Sequence, residues 1–322
     1  MSTIAANNQL TLLELAKRKD PDGSITNIIE VLTLENSMFM DAPWLEANGQ
    51  MQHNTTRRAS LPTGTFRSFN QGVPRSSSQT IKIVENLAML EDFSVVDKAL
   101  ADMNANPMKF RNGEDIAHVE GLGQNWATKM IYGNGVSNPE QFTGFAPRMN
   151  TLTAKRVLGA GGTGSDTTSL YAIQWGENTC HMVYPIGHPN FGVESRDMGE
   201  DIVLDSDSNE YVAYRTHFKI YGGLVVRDDR AIKRIANIET TGTSNTFDDD
   251  QLLTLTNEFR HGGKGVVLYV NRTVKTQMDI LAKDKNNVNY TTGDVFGIPT
   301  TMFRGFPVRV NEAIIDAETA IS

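Results

Sequence analysis

The long stretch Gln52–Gln79 constrains the fold of this 322-residue chain more than any other feature. Its only charged residues are arginines, with no lysine, aspartate or glutamate: Arg57, Arg58, Arg67 and Arg75. Its large apolar residues are too few for a core of its own: Leu61, Phe66, Phe69 and Val73. Segments of this length without a core are usually functional arms or disordered linkers. Arginine forks suit a neighbour's carboxylates or phosphates, so composition leaves two alternatives open, an arm that orders against another molecule and a floppy basic loop.

The composition of the whole chain excludes several classes of protein. A hydrophobic content of 39% is that of an ordinary globular chain, with room for one large domain or two. The net charge of −8 argues against wholesale nucleic-acid binding. The single cysteine, Cys180, excludes an internal disulfide, and no apolar run approaches the ~20 residues of a membrane span. We therefore predict a soluble protein made in the cytosol.

Two segments imitate ligand-binding motifs. Gly159–Gly164 spells G-x-G-x-x-G, but a dinucleotide site needs a helix directly after the glycines, and a strand is predicted there. Asp205–Asn209 imitates the start of a calcium loop but lacks the later glycine and glutamate. Both are predicted to be turns. The sequence thus predicts no catalytic, cofactor or metal site, and a nucleotide-binding enzyme remains only as an alternative that a dinucleotide titration would test.

The clearest predicted helix is Asn112–Ile131. Five residues fall on one face at spacings of three and four, and we predict that this face packs: Ile116, Val119, Gly123, Trp126 and Met130. Gly121 and Gly123 each weaken a helix by ~1 kcal/mol relative to alanine. Their presence predicts the close approach of another element.

The remaining pattern predicts an α+β fold without regular β-α-β alternation. Short helices are predicted within residues 1–35, at Phe93–Met103 and at Asp228–Ile235, the last with Arg230, Lys233 and Arg234 on its surface. Two further helices are predicted at Gln251–Arg260 and, capped by Asn271, at Arg272–Lys283. The predicted strands are Thr65–Phe69, Thr80–Val84, Leu170–Trp175, Cys180–Tyr184, Tyr211–Ile220, Gly223–Val226, Gly265–Val270, Thr300–Phe303 and Phe306–Val310.

Ordered sequence blocks along nearly the whole chain carry a resemblance. They include LTLLELAKRKDPDG, LPTGTFRSFNQGVPRSSSQT, MIYGNG, SLYAIQWGENT, GLVVRDDRAIKRIANIE and VVLYVNRTVKTQMDIL. With these blocks the chain resembles tailed-bacteriophage major capsid proteins with the Hong Kong 97 fold, in particular those of short-tailed phages of the epsilon 15 type. The resemblance implies an icosahedral shell around packaged double-stranded DNA, with an encapsulin-like nanocompartment as the alternative within the same fold.

The resemblance also implies a domain organisation. Residues 1–50 would form the N-terminal arm, 51–85 the extended E-loop, 86–150 and 192–234 the peripheral domain with spine helix 112–131, and 151–191 and 235–322 the axial domain. The E-loop would contact neighbouring subunits through Arg57, Arg58, Phe66, Arg67, Phe69 and Arg75. By charge alone, Glu194, Glu200 and Asp201 are the candidate acidic partners.

Further expectations follow from where the chain departs from its relatives. The axial unit comes late in the sequence, which implies a permuted strand order. Gln52–Gln79 has no lysine, so we predict a shell without covalent cross-links. No fused scaffolding segment precedes the arm, which implies a separate scaffolding protein. The other implied partners are hexamers and pentamers of the same chain, a portal protein, a possible decoration protein and packaged DNA, with assembly in the bacterial host cytoplasm.

Overall fold

The computed structural model of the chain describes residues 37–104, 106–153, 155–187, 192–283, 290–295 and 298–322. Within them the fold is mixed α+β, as predicted. The helices predicted within residues 1–35 lie outside the described residues.

The elements are numbered here in chain order. The helices are α1 (Ser37–Asp41), α2 (Lys98–Asp102), α3 (Pro107–Tyr132), α4 (Phe145–Arg148), α5 (Asp249–Asn257) and α6 (Arg272–Ala282). The strands are β1 (Trp44–Glu46), β2 (Gln52–Ser60), β3 (Gln79–Asn86), β4 (Ala88–Asp97), β5 (Val157–Gly159), β6 (Thr167–Gln174), β7 (Cys180–Tyr184), β8 (Val193–Leu204), β9 (Glu210–Val226), β10 (Ile232–Glu239), β11 (Val266–Val270), β12 (Tyr290–Val295), β13 (Ile298–Phe303) and β14 (Phe306–Val310).

The described chain divides into two compact units. The first comprises residues 89–126 and 192–221. In it, β8 pairs antiparallel with the first part of β9, from Val193 opposite Ile220 to Leu204 opposite Glu210. A small apolar core lies around α2 and the start of α3, built from Val96, Leu100, Ala101 and Phe110 with Tyr214 against them.

The second unit comprises residues 37–88, 127–187 and 222–322. Its largest sheet has the strand order β12-β13-β14-β11-β6-β10-β5. Helices α5 and α6 cover this sheet because their apolar residues join its core, for example Leu252, Val274 and Met278 with Leu170 and Ile235. In the same unit, β7 pairs in parallel with β1 and antiparallel with the end of β9.

Helix α3 begins five residues earlier than predicted. The cap is Asn106, whose Oδ1 accepts a hydrogen bond from the backbone N–H of Lys109 at 3.1 Å. Pro107 follows as the first helical residue, a position where its missing N–H costs nothing. The predicted cap, Asn112, therefore lies inside the helix, because the Asn-Pro pair provides the stronger start signal.

One predicted helix is right only in its second half, and another is wrong. Phe93–Asp97 belongs to β4, and only Lys98–Asp102 is helical, with the Asp97 carboxylate capping it. The predicted helix Asp228–Ile235 is a 3₁₀ turn, Asp229–Ala231, followed by β10. Lys233 and Arg234 were predicted on a helix surface, yet they are 3% and 4% exposed. Their partners, described below, lie far away in sequence.

Other local predictions are confirmed. The Asn271 side chain accepts from the backbone N–H of Val274 at 2.9 Å and caps α6. Arg304 and Gly305, with φ of 49° and 83°, form the tight turn between β13 and β14. The segment Gly159–Gly164 leads into strand β6 and is a turn. Predicted as two strands, Tyr211–Ile220 and Gly223–Val226 form the single strand β9.

Candidate assembly surface

The arginine-rich stretch forms a hairpin with an irregular tip. Strands β2 and β3 pair antiparallel from Gln52 opposite Asn86 to Ser60 opposite Gln79. Thr80–Val84 lies in β3 as predicted, but Thr65–Phe69 is not a strand, because no neighbouring strand among the described residues pairs with it. Between the strands, residues 61–78 contain no helix or strand, and all of them are exposed.

The tip presents its apolar side chains to solvent. Phe66 and Phe69 are 105% and 98% exposed, and Leu61 and Val73 are 69% and 55% exposed. Single exposed apolar residues are ordinary, but several on one short segment typically mark an interaction site. The tip therefore has the character of a contact surface that none of the described residues covers.

The base of the hairpin, in contrast, is fixed to the second unit. Glu85, in β3, accepts hydrogen bonds from both terminal nitrogens of Arg148, at 2.7 and 2.6 Å. The two side chains are 9% and 17% exposed, and such two-point pairs are strong and directional. Leu87 packs with Val183 and Val225 just beyond this pair.

A glycine allows the close approach at this base. A Cβ at Gly223 would lie 2.8 Å from the carbonyl oxygen of Asn86 and 3.2 Å from Cα of Leu87. Any side chain there would push the hairpin base away from β9. The arm is thus rooted on a packed surface while its tip is exposed.

The predicted contact arginines divide into two groups. Arg57 forms an ion pair within the chain with Asp229, so its position is at the root. Arg58 and Arg75 are exposed on the hairpin and its tip, and Arg67 donates to the backbone oxygen of Gln71 at 3.0 Å. The sequence could not separate these roles, because Asp229 lies 172 residues away.

The acidic residues proposed as partners of the arm are occupied within the first unit. Lys219 lies 3.4 Å from Glu194, Lys98 lies 2.6 Å from Glu200, and Arg215 lies 2.6 Å from Asp201. Net charge on β8 alone therefore overstates the negative potential that a neighbour's arm would meet. These cations come from α2 and β9, a juxtaposition that only the fold creates.

The predicted face of α3 changes character along the helix. Trp126 and Met130 are 1% and 0% exposed, whereas Ile116 and Val119 are 60% and 38% exposed. An alanine Cβ at Gly123, as at Gly121, would meet no atom of the described residues within 4 Å. No described residue therefore makes the predicted close approach on the Cβ side of these glycines.

A groove of about 750 Å³ lies along the exposed half of this face, within the first unit. Ile116 and Val119 line it from α3, and Val193 and Phe218 line it from β8 and β9. At its edge Arg111 donates to Asp197 at 2.7 Å, and Thr216 donates to Asp115 Oδ2 at 3.1 Å. A groove with this largely apolar lining suits binding of a protein segment.

Two histidines lie at the root of the arm. The rings of His53 and His181 meet edge to face with centroids 5.9 Å apart. Burial, aided by His53 and Arg227, lowers the pKa of His181 to about 4, and burial also lowers the pKa of His53. The sequence placed His181 on a strand but gave no signal of this pairing, because β2 and β7 are far apart in the chain.

Comparison with known proteins decides the family. The family described as major capsid protein GP7 matches residues 20–322. The chain belongs to this family. As such it is a major capsid protein of a tailed phage, a subunit of the virion shell.

The capsid protein is also similar to a solved structure of bacteriophage Epsilon15. The two chains are 31% identical, the match covers 100% of this chain and 99% of the other, and the TM-score is 0.76. The fold predicted from the sequence blocks, the Hong Kong 97-like capsid fold of the epsilon 15 type, is confirmed. No curated protein sequence matches the chain.

More distant structures also align with the capsid protein. The capsid of a native GTA particle is 13% identical, with a TM-score of 0.48 over 73% of this chain and 98% of the other. The SrpI encapsulin of Synechococcus elongatus is 11% identical, with a TM-score of 0.46 over 74% of this chain and 100% of the other. The phage capsid assignment therefore rests on the family match and the Epsilon15 structure.

The described part of the capsid protein was also compared with what a membrane-spanning helix and a metal site require. None of its helices is long and apolar enough to cross a membrane. Its histidine, cysteine, aspartate and glutamate side chains form no group suited to a metal ion.

Proposed function

We propose that this major capsid protein closes an icosahedral shell around double-stranded DNA by laying its hairpin arm on neighbouring subunits. The observation that carries the proposal is the contrast within the arm. Its root is held by the buried Glu85–Arg148 pair, while Phe66 and Phe69 at its tip are fully exposed. A closed shell needs contacts that reach around symmetry axes, and a rooted arm makes them beyond the reach of a compact body.

Each part of the arm has a distinct role in this proposal. Phe66 and Phe69 bury apolar surface on a neighbour. Arg58, Arg67 and Arg75 add charge-assisted hydrogen bonds at the edge of that contact. Arg57 supports the root through Asp229. Many weak contacts of this kind, repeated over hexamers and pentamers, stabilise a shell while allowing misplaced subunits to correct.

In this proposal the rest of the subunit has the domain organisation that the resemblance implies. Helix α3 is the spine helix of a peripheral domain, 86–150 with 192–234, and its exposed Ile116 and Val119 face a neighbouring subunit. Residues 151–191 and 235–322 form the axial domain, 1–50 the N-terminal arm and 51–85 the E-loop. The late position of the axial unit makes the strand order a permuted one.

The remaining partners follow from the composition of the arm and from the resemblance. The stretch Gln52–Gln79 contains no lysine, so the shell is held without amide cross-links from this arm. A separate scaffolding protein, a portal protein and packaged DNA complete the assembly, with a decoration protein as a possible further partner, and assembly takes place in the cytoplasm of the bacterial host. The role is structural, without catalysis.

The test removes the tip's apolar side chains. We expect Phe66→Ser with Phe69→Ser to leave the free energy of unfolding of the unassembled subunit within about 0.5 kcal/mol, because both residues are exposed. Shell formation, followed by light scattering and negative-stain electron microscopy with neighbouring genes co-expressed, should be strongly reduced. Met103→Ser is the matched control, since Met103 is 67% exposed outside the arm.

Two results would overturn the proposal. One is closure of the doubly substituted protein into shells at wild-type concentration. The other is a wild-type chain that stays a monomer or dimer under every condition, including co-expression.

A further inference from the structure

Two ion pairs hold the root of the arm, and they differ in strength. Arg148 donates two hydrogen bonds to the Glu85 carboxylate and another to the backbone oxygen of Thr143 at 3.0 Å. Breaking a buried pair of this kind is costly, because one charge remains without a partner. The second pair, Arg57 with Asp229, has side chains 36% and 41% exposed. Exposed pairs contribute little and break easily.

Asp229 has a second cation within reach. Arg156 Nη1 lies 3.8 Å from the Asp229 carboxylate, on the same oxygen that Arg57 contacts. The Nη2 of Arg156 donates to the backbone oxygen of Arg148 at 3.1 Å. Its Nε is buried and has no hydrogen-bond partner among the described residues. Arg156 is therefore an incompletely satisfied donor held beside an acceptor that another arginine occupies.

This arrangement allows Asp229 to change its arginine partner. If the hairpin tilts outward with β2 and β3 still paired, Arg57 leaves Asp229, and the carboxylate can turn to Arg156 without losing a charged partner. The same movement leaves the Glu85–Arg148 pair on β3 intact, because that pair is fixed by several hydrogen bonds. The root then has one fixed side and one side that can release.

We propose that Asp229 is a positioning residue for the arm, a shared acceptor that passes from Arg57 to Arg156 when the arm changes its angle about the fixed Glu85–Arg148 pair. The inference rests on the proposed function of the arm. It adds the means by which one chain fits arms of different angle, as subunits in hexamers and pentamers require.

The first test is made on the unassembled subunit by hydrogen exchange of backbone amides. Asp229→Asn should speed exchange by roughly two- to fivefold in the part of the β2–β3 ladder around Arg57 and Ile81, as expected for loss of an exposed pair, and leave the part around His53 and Glu85 unchanged. Raised salt should have the same selective effect on the wild-type protein. Asp229→Glu should restore protection. Glu312→Gln, which removes another surface pair with Arg272, is the matched control and should leave both strands unchanged.

The second test addresses the transfer of the Asp229 carboxylate from Arg57 to Arg156. If Arg156 takes over Asp229, Arg57→Gln alone should leave the turn Asp229–Ala231 protected. Adding Arg156→Gln to Arg57→Gln should then expose that turn. Equal hydrogen exchange of that turn in the single and double variants would overturn the proposal, as would equal loosening in Asp229→Asn of the ladder around Glu85 and the ladder around Arg57. These measurements need no shell, so they are distinct from a failure of the arm to drive assembly.

Discussion

Acid should destabilise the subunit through His181. Its side chain is 1% exposed, and its pKa of about 4 compares with 6.5 for an unburied histidine. Between pH 6.5 and 4 this histidine is therefore protonated in the unfolded chain but still neutral in the folded chain. The contribution of neutral His181 to the free energy of unfolding is fully present above pH 6.5 and is lost as the pH falls to 4. The loss amounts to about 2 kcal/mol at pH 5 and about 3 kcal/mol in total.

The assay is urea denaturation of the unassembled subunit at several pH values from 7.5 to 4.5. Carboxylates also titrate at the lower end, so the quantity to compare is the difference between the wild-type protein and His181→Phe. Phenylalanine keeps a ring against His53 but cannot take up a proton. We expect the variant to gain about 2 kcal/mol relative to wild type between pH 7.5 and 5. A difference that does not change with pH would refute the reasoning.

Two further predictions concern stability. Glu318→Gln should cost about 3–5 kcal/mol in urea denaturation, because Glu318 pairs with the buried Arg234 at 2.8 Å. Replacing both residues, Arg234→Met with Glu318→Leu, should recover much of that loss, and equal losses would argue against an unpaired charge as the cause. Gly121→Ala and Gly123→Ala should each stabilise the unassembled subunit by up to about 1 kcal/mol, since each Cβ has open space. If a neighbouring subunit approaches these glycines in the shell, the same variants should impair assembly, and unchanged assembly would count against that approach.

Local signals in the sequence were sufficient for some elements. The cap at Asn271 and the Arg304-Gly305 turn were predicted because both depend on side chains or backbone angles within a few residues. The long helix was predicted from its apolar spacing, although its start at Pro107 was missed. Composition predicted that Gln52–Gln79 has no core of its own, because its large apolar residues are too few. It left an arm and a floppy loop open, and the E-loop assignment came from the resemblance.

The prediction was wrong for the buried charged residues of β10. Lys233 and Arg234 were read as surface residues because charged side chains are seldom fully buried without partners. Their partners are distant: Lys233 donates to the backbone oxygen of Lys155 at 2.7 Å, and Arg234 to Glu318 and to Ser169 Oγ at 2.8 and 2.9 Å. No local pattern reports such contacts, so the polar run was assigned to a helix instead of the buried strand β10.

The candidate assembly surface shows the same limit. The arginines and phenylalanines of the arm were identified from composition, but their division into root and tip depends on Asp229 and Arg148. The charge of Glu200 was visible, whereas its neutralisation by Lys98 was not. Which residues of a neighbour would meet the arm in the proposed shell depends on contacts between copies, and the sequence pattern of one chain does not report them.

The exposed tip has a consequence for the kinetics of shell growth. Fixing one residue's backbone costs ~1–2 kcal/mol in conformational entropy, and residues 61–78, all of them exposed, bury little apolar surface against the described residues to offset it. In the proposed shell every tip carries this cost when it orders on a neighbour, and a first contact between two subunits offsets it with fewer contacts than joining a partly built shell does. Shell growth, followed by light scattering, should accordingly show a lag and a threshold concentration.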